Sequence, residues 1–558
     1  GYDLILVGKA TDNSGFGGAS FASLELEEGK KEQNKGAVQE PNAFLERHIL
    51  KSTYALFKMI KEKNLINKVG FKDLGAGGVA CASVELADTS GYGAEVWLDN
   101  VHVAVDDLHP SVVLCSETQE RFMWVCHPDI TDMIIDHYNN TFDMPGVSSL
   151  ARASVIGKIN NNKQYIVHSG KDEIVNAPAE MITKGFNYDR PIKKPESSLN
   201  EPDLQEPKNY NHILEKLITH ENICSRSSVY ETYDKQVQGR TIVEPGDADA
   251  GILAPFNNSQ YPEEIRKIGI AHSTDHNPLY GKISPYWCGV NSVVESMRNV
   301  ATTGATPHAM TDCLCFGNPE KPEQMWEFSE ATKGVADACK GIHLKHNPDH
   351  SVPIIAGNVS FYNESAGGAI PPSPIVSCLG RLSDVDKAIT TGFKKKKSKI
   401  ILIGERKDEL GGSLYYSLYN FLGKNLPKPN LEEVEAEIWA LTDLIDSRLI
   451  LSAHDISDGG IAVALSEMAF ENEIGFEINA GKSLRADIWL FSETGGFIIE
   501  VDKNNLPGII TVMSKYNIHY EEIGETTDHQ AMVFGNEIHM PISKAKDGWQ
   551  KALRNKIK

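Results

Sequence analysis

Residues 356–365 read AGNVSFYNES. Gly357, Asn358 and Ser360 follow the apolar pair Ile354-Ile355, and a second Asn and a Glu close the stretch. Amide and carboxylate oxygens suit Mg2+, which keeps several waters and takes one or two protein ligands beside phosphate oxygens. A glycine lets backbone approach a phosphate closely, and a serine hydroxyl can donate to an anionic oxygen. Gly and Asn also make ordinary turns, so residue type alone leaves a turn and a phosphate–metal junction both open. Asp312, within HAMTDCLCF (308–316), is read as a carboxylate that ends an apolar strand. Asp73, after VGFK and before glycines, is another; it suits a metal, or caps the helix that follows. SETQER (116–121) offers Glu117, Thr118 and Gln119. An acid beside an amide suits a polyhydroxylated ligand, with a surface turn or cap as the plain alternative.

Competing chemistries leave no signature. The chain has no G-x-S-x-G, no G-x-x-x-x-G-K-[ST] and no H-E-x-x-H. GFGGAS (15–20) lacks the spacing and context of a dinucleotide site. His272, His276 and His308 lack metal-ligand spacing with Cys partners and read as polar or packed residues. A net charge of −21 argues against a broad nucleic-acid or anionic-membrane surface. The one basic run, GFKKKKSK (392–399), reads as a solvated loop. The nine Cys include no C-x-x-C pair and read as reduced thiols of a cytoplasmic protein. Cys313 and Cys315, one residue apart on an expected strand, are taken to point to opposite faces, a poor arrangement for a shared metal. No run of about 18 apolar residues spans a membrane, and no signal peptide is visible.

The elements that position these residues recur. KDLGAGGVACASVELA (72–87) matches HDISDGGIAVALSEMA (454–469), with Asp73 on Asp455 and Gly77-Gly78 on Gly459-Gly460. LCSETQERF (114–122) resembles LFSETGGFI (490–498), and LILVGKATDNSGFGGAS (4–20) resembles IILIGERKDELGGSL (400–414). Three blocks in one order predict a duplicated module. Each copy reads strand, Gly-rich turn, helix, D-x-x-x-G-G, helix; the paired glycines are also explained by tight helix–sheet packing alone. Between the copies, 186–212 is Pro-rich and charged, as in a linker or surface strap. A further compact unit follows, with helices expected over 289–307, ended by Gly304 and Pro307, and over 322–342, started by Pro322. Strands are expected over 308–316 and 351–360. The fold class is mixed α/β (α+β): module B at 1–185, linker 186–240, module A at 241–385, module B at 386–558. That order, and a first residue that is not Met ahead of a buried-strand run, predict a fragment that has lost about one A module ahead of residue 1.

TDCLCFGNPEKPE (311–323), AGNVSFYNES, AIPPSPIVSCLG (369–380), HDISDGGIAVALSEMAF (454–470), GGASFAS (17–23), SETQER and VYETYDKQVQG (229–239) together resemble phosphoribosylformylglycinamidine synthase, the large synthetase subunit of purine biosynthesis. The resemblance runs through nearly the whole chain. It implies a duplicated aminoimidazole-ribonucleotide-synthetase-like architecture, and conversion of formylglycinamide ribonucleotide (FGAR), ATP and glutamine-derived ammonia into the amidine (FGAM), ADP and phosphate. By that resemblance Asp312 and Gly357 contact ATP, and Asn358 and Asp73 hold Mg2+. Gln39, Glu117, Thr118, Gln119 and Ser360 bind FGAR, Gln39 lying in a stretch that departs in length from the family pattern. The family's active site sits where two A modules meet, and its catalytic His residues lie in the first A module, so no catalytic residue is assigned here. No G-x-C-x-G glutaminase loop occurs; a separate glutaminase and a small accessory subunit are the implied partners, with no nucleic acid and no membrane. The second copy has Gly495-Gly496 where the first has Gln119-Glu120, which predicts a degenerate structural copy or one holding a structural nucleotide. Two other readings stand beside this one. One is another ATP-dependent enzyme of the same superfamily, such as aminoimidazole ribonucleotide synthetase, selenophosphate synthetase or thiamine-phosphate kinase. The other is a non-catalytic binding or scaffold fragment.

Overall fold

The computed structural model describes residues 1–18, 40–196, 198–365, 367–479 and 484–557. The chain divides into two units, Gly1–Asp189 and Arg190–Lys558.

The first unit is built on one seven-stranded sheet. In chain order its strands are β1 (Asp3–Gly8), β2 (Val69–Asp73), β3 (Gly93–Trp97), β4 (Arg121–Cys126), β5 (Arg152–Asn160), β6 (Gln164–Ser169) and β7 (Asp172–Pro178). Their spatial order is β2-β4-β1-β5-β3-β6-β7. The run DLILVG is buried at all six positions, because both faces of the central strand are covered. Leu4 and Leu6 pack against α2 (Gly78–Asp88), while Ile5 and Val7 pack against α1 (Ala43–Glu62). Helix α1 starts at Asn42, whose side chain accepts the Leu45 N–H at 3.0 Å, and it buries Leu45, Ile49, Leu56 and Ile60 at helical spacing.

The second unit opens with a strap. Lys193 pairs with Glu323 at 2.9 Å, and Glu201 accepts the backbone N–H groups of Lys424 and Asn425. The span 186–240 is not wholly linker. Helix α3 (Tyr210–Ile218) lies within it and buries Tyr210, Ile213, Leu214 and Leu217 in the core of the following B copy. Its short apolar stripe was masked by the charged, Pro-rich residues before it.

A six-stranded sheet follows, from β8 (Thr241–Val243), β9 (Gly251–Leu253), β10 (Gly269–Asp275), β11 (Thr306–Cys315), β14 (Ile354–Ser360) and β17 (Ser373–Leu382), in the order β14-β11-β17-β10-β9-β8. Two small hairpins, β12 (His343–Leu344) with β13 (Asn347–Ser351) and β15 (Glu364–Ser365) with β16 (Gly368–Ala369), sit between these strands. Helices α4 (Pro285–Thr302) and α5 (Pro322–Gly341) cover one face. Helix α4 starts earlier than the expected 289, because Ser284 caps it and Pro285 occupies its first position. Pro307 does not end it. Gly304, at φ 94°, does so, and Pro307 already lies in β11.

The last sheet repeats the first strand for strand: β18 (Lys399–Ile403), β19 (Ser452–Asp455), β20 (Gly475–Ile478), β21 (Phe497–Val501), β22 (Tyr520–Thr527), β23 (Ala531–Phe534) and β24 (Ile538–Pro541), in the order β19-β21-β18-β22-β20-β23-β24. Even the bulge recurs, between Leu4 and Ile5 in one sheet and between Ile400 and Ile401 in the other. Helix α6 (Leu431–Asp446) packs on one side and α7 (Gly460–Phe470) on the other. Ile401, Ile403 and Phe497 share one core with Val293, Met297 and Val300 of α4. The A module and the second B copy, expected as separate domains at 241–385 and 386–558, therefore have a common hydrophobic interior.

Candidate active site

Strands β11 and β14 run parallel, with Asp312 opposite Gly357, Cys313 opposite Asn358 and Cys315 opposite Ser360. Asp312, Gly357 and Asn358 are thus ladder residues: β11 runs on to Cys315, so Asp312 does not end its strand, and the turn alternative for Gly357 and Asn358 falls away; the chain bends only after Ser360, with Tyr362 at φ 60°. The Asp312 carboxylate lies against Gly357, where an added Cβ would stand 2.5 Å from Oδ1. Burial pushes the Asp312 carboxyl up, and the backbone N–H of Asn358 works against that shift. The Asn358 side chain turns to the other face of the sheet, its Nδ2 3.7 Å from Cys313 Sγ. Cys313 and Cys315 do not point apart: residues two apart on a strand share a face, and the two sulfurs lie 3.8 Å from each other. Asn363 fastens the bend by donating to Phe316 O at 3.0 Å and Ser360 O at 2.9 Å. Glu364 holds the neighbouring 317–322 loop through the Asn318 N–H at 2.7 Å and Lys321 at 2.5 Å. The expected site residues of the A module are thus brought to one strand pair and its terminal bend.

In the first unit Asp73 ends β2 and is exposed. It does not cap α2; that position belongs to Gly77, which offers no side chain. Gly77 and Gly78 are both left-handed, at φ 76° and 53°, and a Cβ on Gly78 would lie 2.2 Å from Ser116 O. The paired glycines let the helix start settle onto the 116–119 turn. That turn is no surface loop. Ser116, Glu117 and Thr118 are buried. Thr118 Oγ1 accepts the Asp12 N–H at 3.1 Å and donates to Asp12 Oδ1 at 3.0 Å. Arg121, itself buried, donates to Thr118 O at 2.9 Å and Ser116 O at 2.6 Å. The Glu117 carboxylate lies under Gly18, whose Cβ would stand 3.0 Å from Oε2. Gln119 Nε2 donates to Glu117 O at 2.8 Å. Burial works to raise the Asp12 carboxyl, but Ser14 and Lys9 hold it below its ordinary range. Gln39 lies outside the described residues.

The second copy keeps this frame, with Arg298 set against the position that matches Gln119. Gly460 approaches Ser492 O as Gly78 approaches Ser116 O, with a Cβ 2.6 Å away. Arg406 takes over the clamp, donating to Ser492 O and Thr494 O. The space above Gly495 is occupied by the Arg298 guanidinium of α4; a Cβ on Gly495 would fall 1.5 Å from Nη1. Arg298 also faces Glu437 at 3.7 Å. Glu493, the counterpart of Glu117, accepts the N–H groups of Leu414 and Gly459 at 2.9 Å and the Tyr280 hydroxyl at 2.9 Å. Burial, then the charge of Asp458, pushes its carboxyl up to about 8.

A group of buried acids surrounds this copy. Burial and the Asp455 charge raise Asp275 to about 8, burial raises Asp458 to about 6, and Glu295 goes well above the carboxylate range. His454 lies 2.8 Å from Asp249 and 3.1 Å from Glu467; burial opposes its charge, but Asp249 overrides it and raises the imidazole well above its usual value. Asp249, His454 and Asp455 each present a donor atom within 4.8 Å of the others. Of these, Asp455 and Glu467 are reached from the sequence, through the repeat that sets them on Asp73 and Glu85. The signal for the rest was an acid inside an apolar helical stretch, Glu295 in SVVESM, and the D-x-x-D of Asp455 and Asp458.

Known proteins fit this geometry. The model of the AIR synthase related protein C-terminal domain matches residues 1–169 and 396–535, and that of the AIR synthase related protein N-terminal domain matches 248–382. Phosphoribosylformylglycinamidine synthase subunit PurL of Methanothrix thermoacetophila is 42% identical over 100% of this chain and 72% of its own length. The solved structure of T. maritima PurL complexed with FGAR superposes with a TM-score of 0.64 at 22% identity, covering 94% of this chain and 72% of that one. For T. maritima PurL complexed with ATP the values are 0.60, 21%, 94% and 70%. Two B copies of one strand order, an A module presenting Asp312, Gly357 and Asn358, and a relative 42% identical over the whole of this chain and 72% of its own length place this chain in the phosphoribosylformylglycinamidine synthase subunit PurL family.

Proposed function

We propose that this chain takes part in the ATP-dependent conversion of FGAR to FGAM in purine biosynthesis, as a ligase using glutamine-derived ammonia. The observation that carries the reading is the β11–β14 pair, which sets Asp312 against Gly357 and presents Asn358 and Ser360 from one strand of a chain 42% identical to a PurL subunit. In this reaction the FGAR amide oxygen attacks the γ-phosphorus of ATP and ADP leaves. Ammonia then adds to the iminophosphate carbon, and phosphate departs with the former amide oxygen.

Little covalent chemistry falls to the protein in such a transfer; it positions groups and stabilises charge. Holding reactants in line is worth about 7–11 kcal/mol of barrier. Asp312 and the side-chain-free backbone at Gly357 receive ATP, and Ser360 receives FGAR. In the first unit Gln119 and Gln39 contact FGAR, with Glu117 and Thr118 setting the turn from which Gln119 projects. Exposed Asp73 and the amide of Asn358 are the hard oxygen donors that fit Mg2+. When bound, such ions, one at Asn358 and another at Asp73, neutralise phosphate charge. A separate glutaminase and a small accessory subunit supply ammonia and complete the assembly in the cytoplasm. Among the described residues no helix is long and apolar enough to cross a membrane.

The test is ADP release with FGAR, Mg-ATP and ammonium chloride, run on this chain and on the full product of its reading frame. Asn358→Ala should abolish metal-dependent turnover and leave the circular dichroism spectrum unchanged. Wild-type turnover in Asn358→Ala would remove Asn358 from the site.

A further inference from the structure

We propose that Cys313 and Cys315 form a chelating site for a thiophilic metal ion of the zinc–cadmium class. This lies beyond the ATP and FGAR reading and is built on two thiols that reading leaves idle. Their sulfurs are 3.8 Å apart. Two thiolates bound at about 2.3 Å to one tetrahedral ion stand about 3.8 Å apart. The side chains are therefore already at chelating distance.

The backbone holds them there. Both residues sit inside the β11 ladder, Cys313 paired with Asn358 and Ile375, Cys315 with Ser360 and Ser373. A disulfide fits this frame worse than an ion does. Residues two apart on a strand have Cα atoms about 6.6 Å apart, near the upper limit for a disulfide, and the sulfurs would have to close to about 2.05 Å. That means buckling a strand paired on both sides. Both thiols are half-buried, so a small ion reaches them. Leu314, between them, points into the helix-side core with Phe316 and Ala331. The Asn358 amide, with Nδ2 3.7 Å from Cys313 Sγ, becomes a third donor when rotation of its last torsion exchanges nitrogen for oxygen. Binding forms two sulfur–metal bonds and sends two thiol protons to solvent, with no change of oxidation state.

Asn358 is shared with the proposed Mg2+ role, so the experiment reads metal binding and not turnover. Cadmium is titrated into this chain and followed by the ultraviolet thiolate-to-metal charge-transfer band. Wild type should saturate its tight band at one equivalent. Cys313→Ser and Cys315→Ser should each weaken that binding by about a hundredfold, since each removes one arm of the chelate. Cys81→Ser, a half-buried thiol in the other unit, should keep the band. Tight binding that survives in Cys313→Ser or in Cys315→Ser overturns the proposal, as does loss of the band in Cys81→Ser. If one of the two serine variants does not fold, the other decides alone. Failure here leaves the FGAR reading untouched, because neither sulfur has a part in it.

Discussion

Gly78→Ala tests whether the paired glycines exist to seat α2 on the 116–119 turn. The residue sits at φ 53°, a region that costs an L side chain about 1–2 kcal/mol. Its new Cβ would also stand 2.2 Å from Ser116 O, a backbone atom that Arg121 holds in place at 2.6 Å. Overpacking of that kind costs about 1–3 kcal/mol. The two add to about 2–5 kcal/mol of lost stability in the first unit. At an m of about 2 kcal/mol/M the urea midpoint falls by about 1–2.5 M. Trp97 and Trp124 fluorescence reports on this unit. Gly75→Ala is the internal control. Nothing lies within 4 Å of its Cβ, so it should stay within about 0.5 kcal/mol of wild type. Displacing Ser116 O also moves the turn bearing Gln119, so the KM for FGAR should rise in Gly78→Ala and not in Gly75→Ala. A Gly78→Ala midpoint level with that of Gly75→Ala would refute the close-packing account.

Two further outcomes follow from the second copy. Gly495→Ala drives the Arg298 guanidinium from its place and away from Glu437, which should cost about 3 kcal/mol in urea unfolding of the second unit, the scale for breaking a buried pair. A shift below 0.5 kcal/mol, within the scatter of surface substitutions, would mean that Arg298 finds an equivalent position. The buried acids also set a pH dependence. Glu493 and Asp275 are raised to about 8, so between about pH 4 and about pH 8 the folded chain keeps protons that the unfolded chain has released. Stability of the second unit therefore falls as pH rises through that window. Glu493→Gln should flatten the fall in melting temperature between about pH 5 and pH 8, and an undiminished slope would show that Glu493 does not contribute to it.

The duplication was readable because the motifs that recur are the ones geometry repeats: Gly77-Gly78 and Gly459-Gly460 each bring a helix start onto a Ser-Glu-Thr turn. The strand carrying Asn358 was readable from the apolar residues ahead of it. What a single sequence could not give was contact between distant segments. Nothing near Gly495 names Arg298, nearly two hundred residues earlier, as the group that fills its space. Nothing in HDISDGG tells that His454 meets Asp249. Nothing in SETQER tells that the Thr118 hydroxyl bonds to Asp12, over a hundred residues earlier. Helix α3 was hidden in an expected linker, since its stripe spans only nine residues and follows a charged, Pro-rich run, and the core of the second B copy makes sense of it. The Cys313–Cys315 pair was misread by a local rule applied at the wrong spacing.

The occupied space above Gly495 also bears on how the two halves can diverge. A side chain restored at position 495 collides with Arg298 while that residue stands. Removing Arg298 first leaves Glu437 a buried, unpaired carboxylate. Opening the space above Gly495 therefore calls for both changes at once. Closing that space takes no further change and opening it takes two, so this pair of residues acts as a ratchet on the second copy.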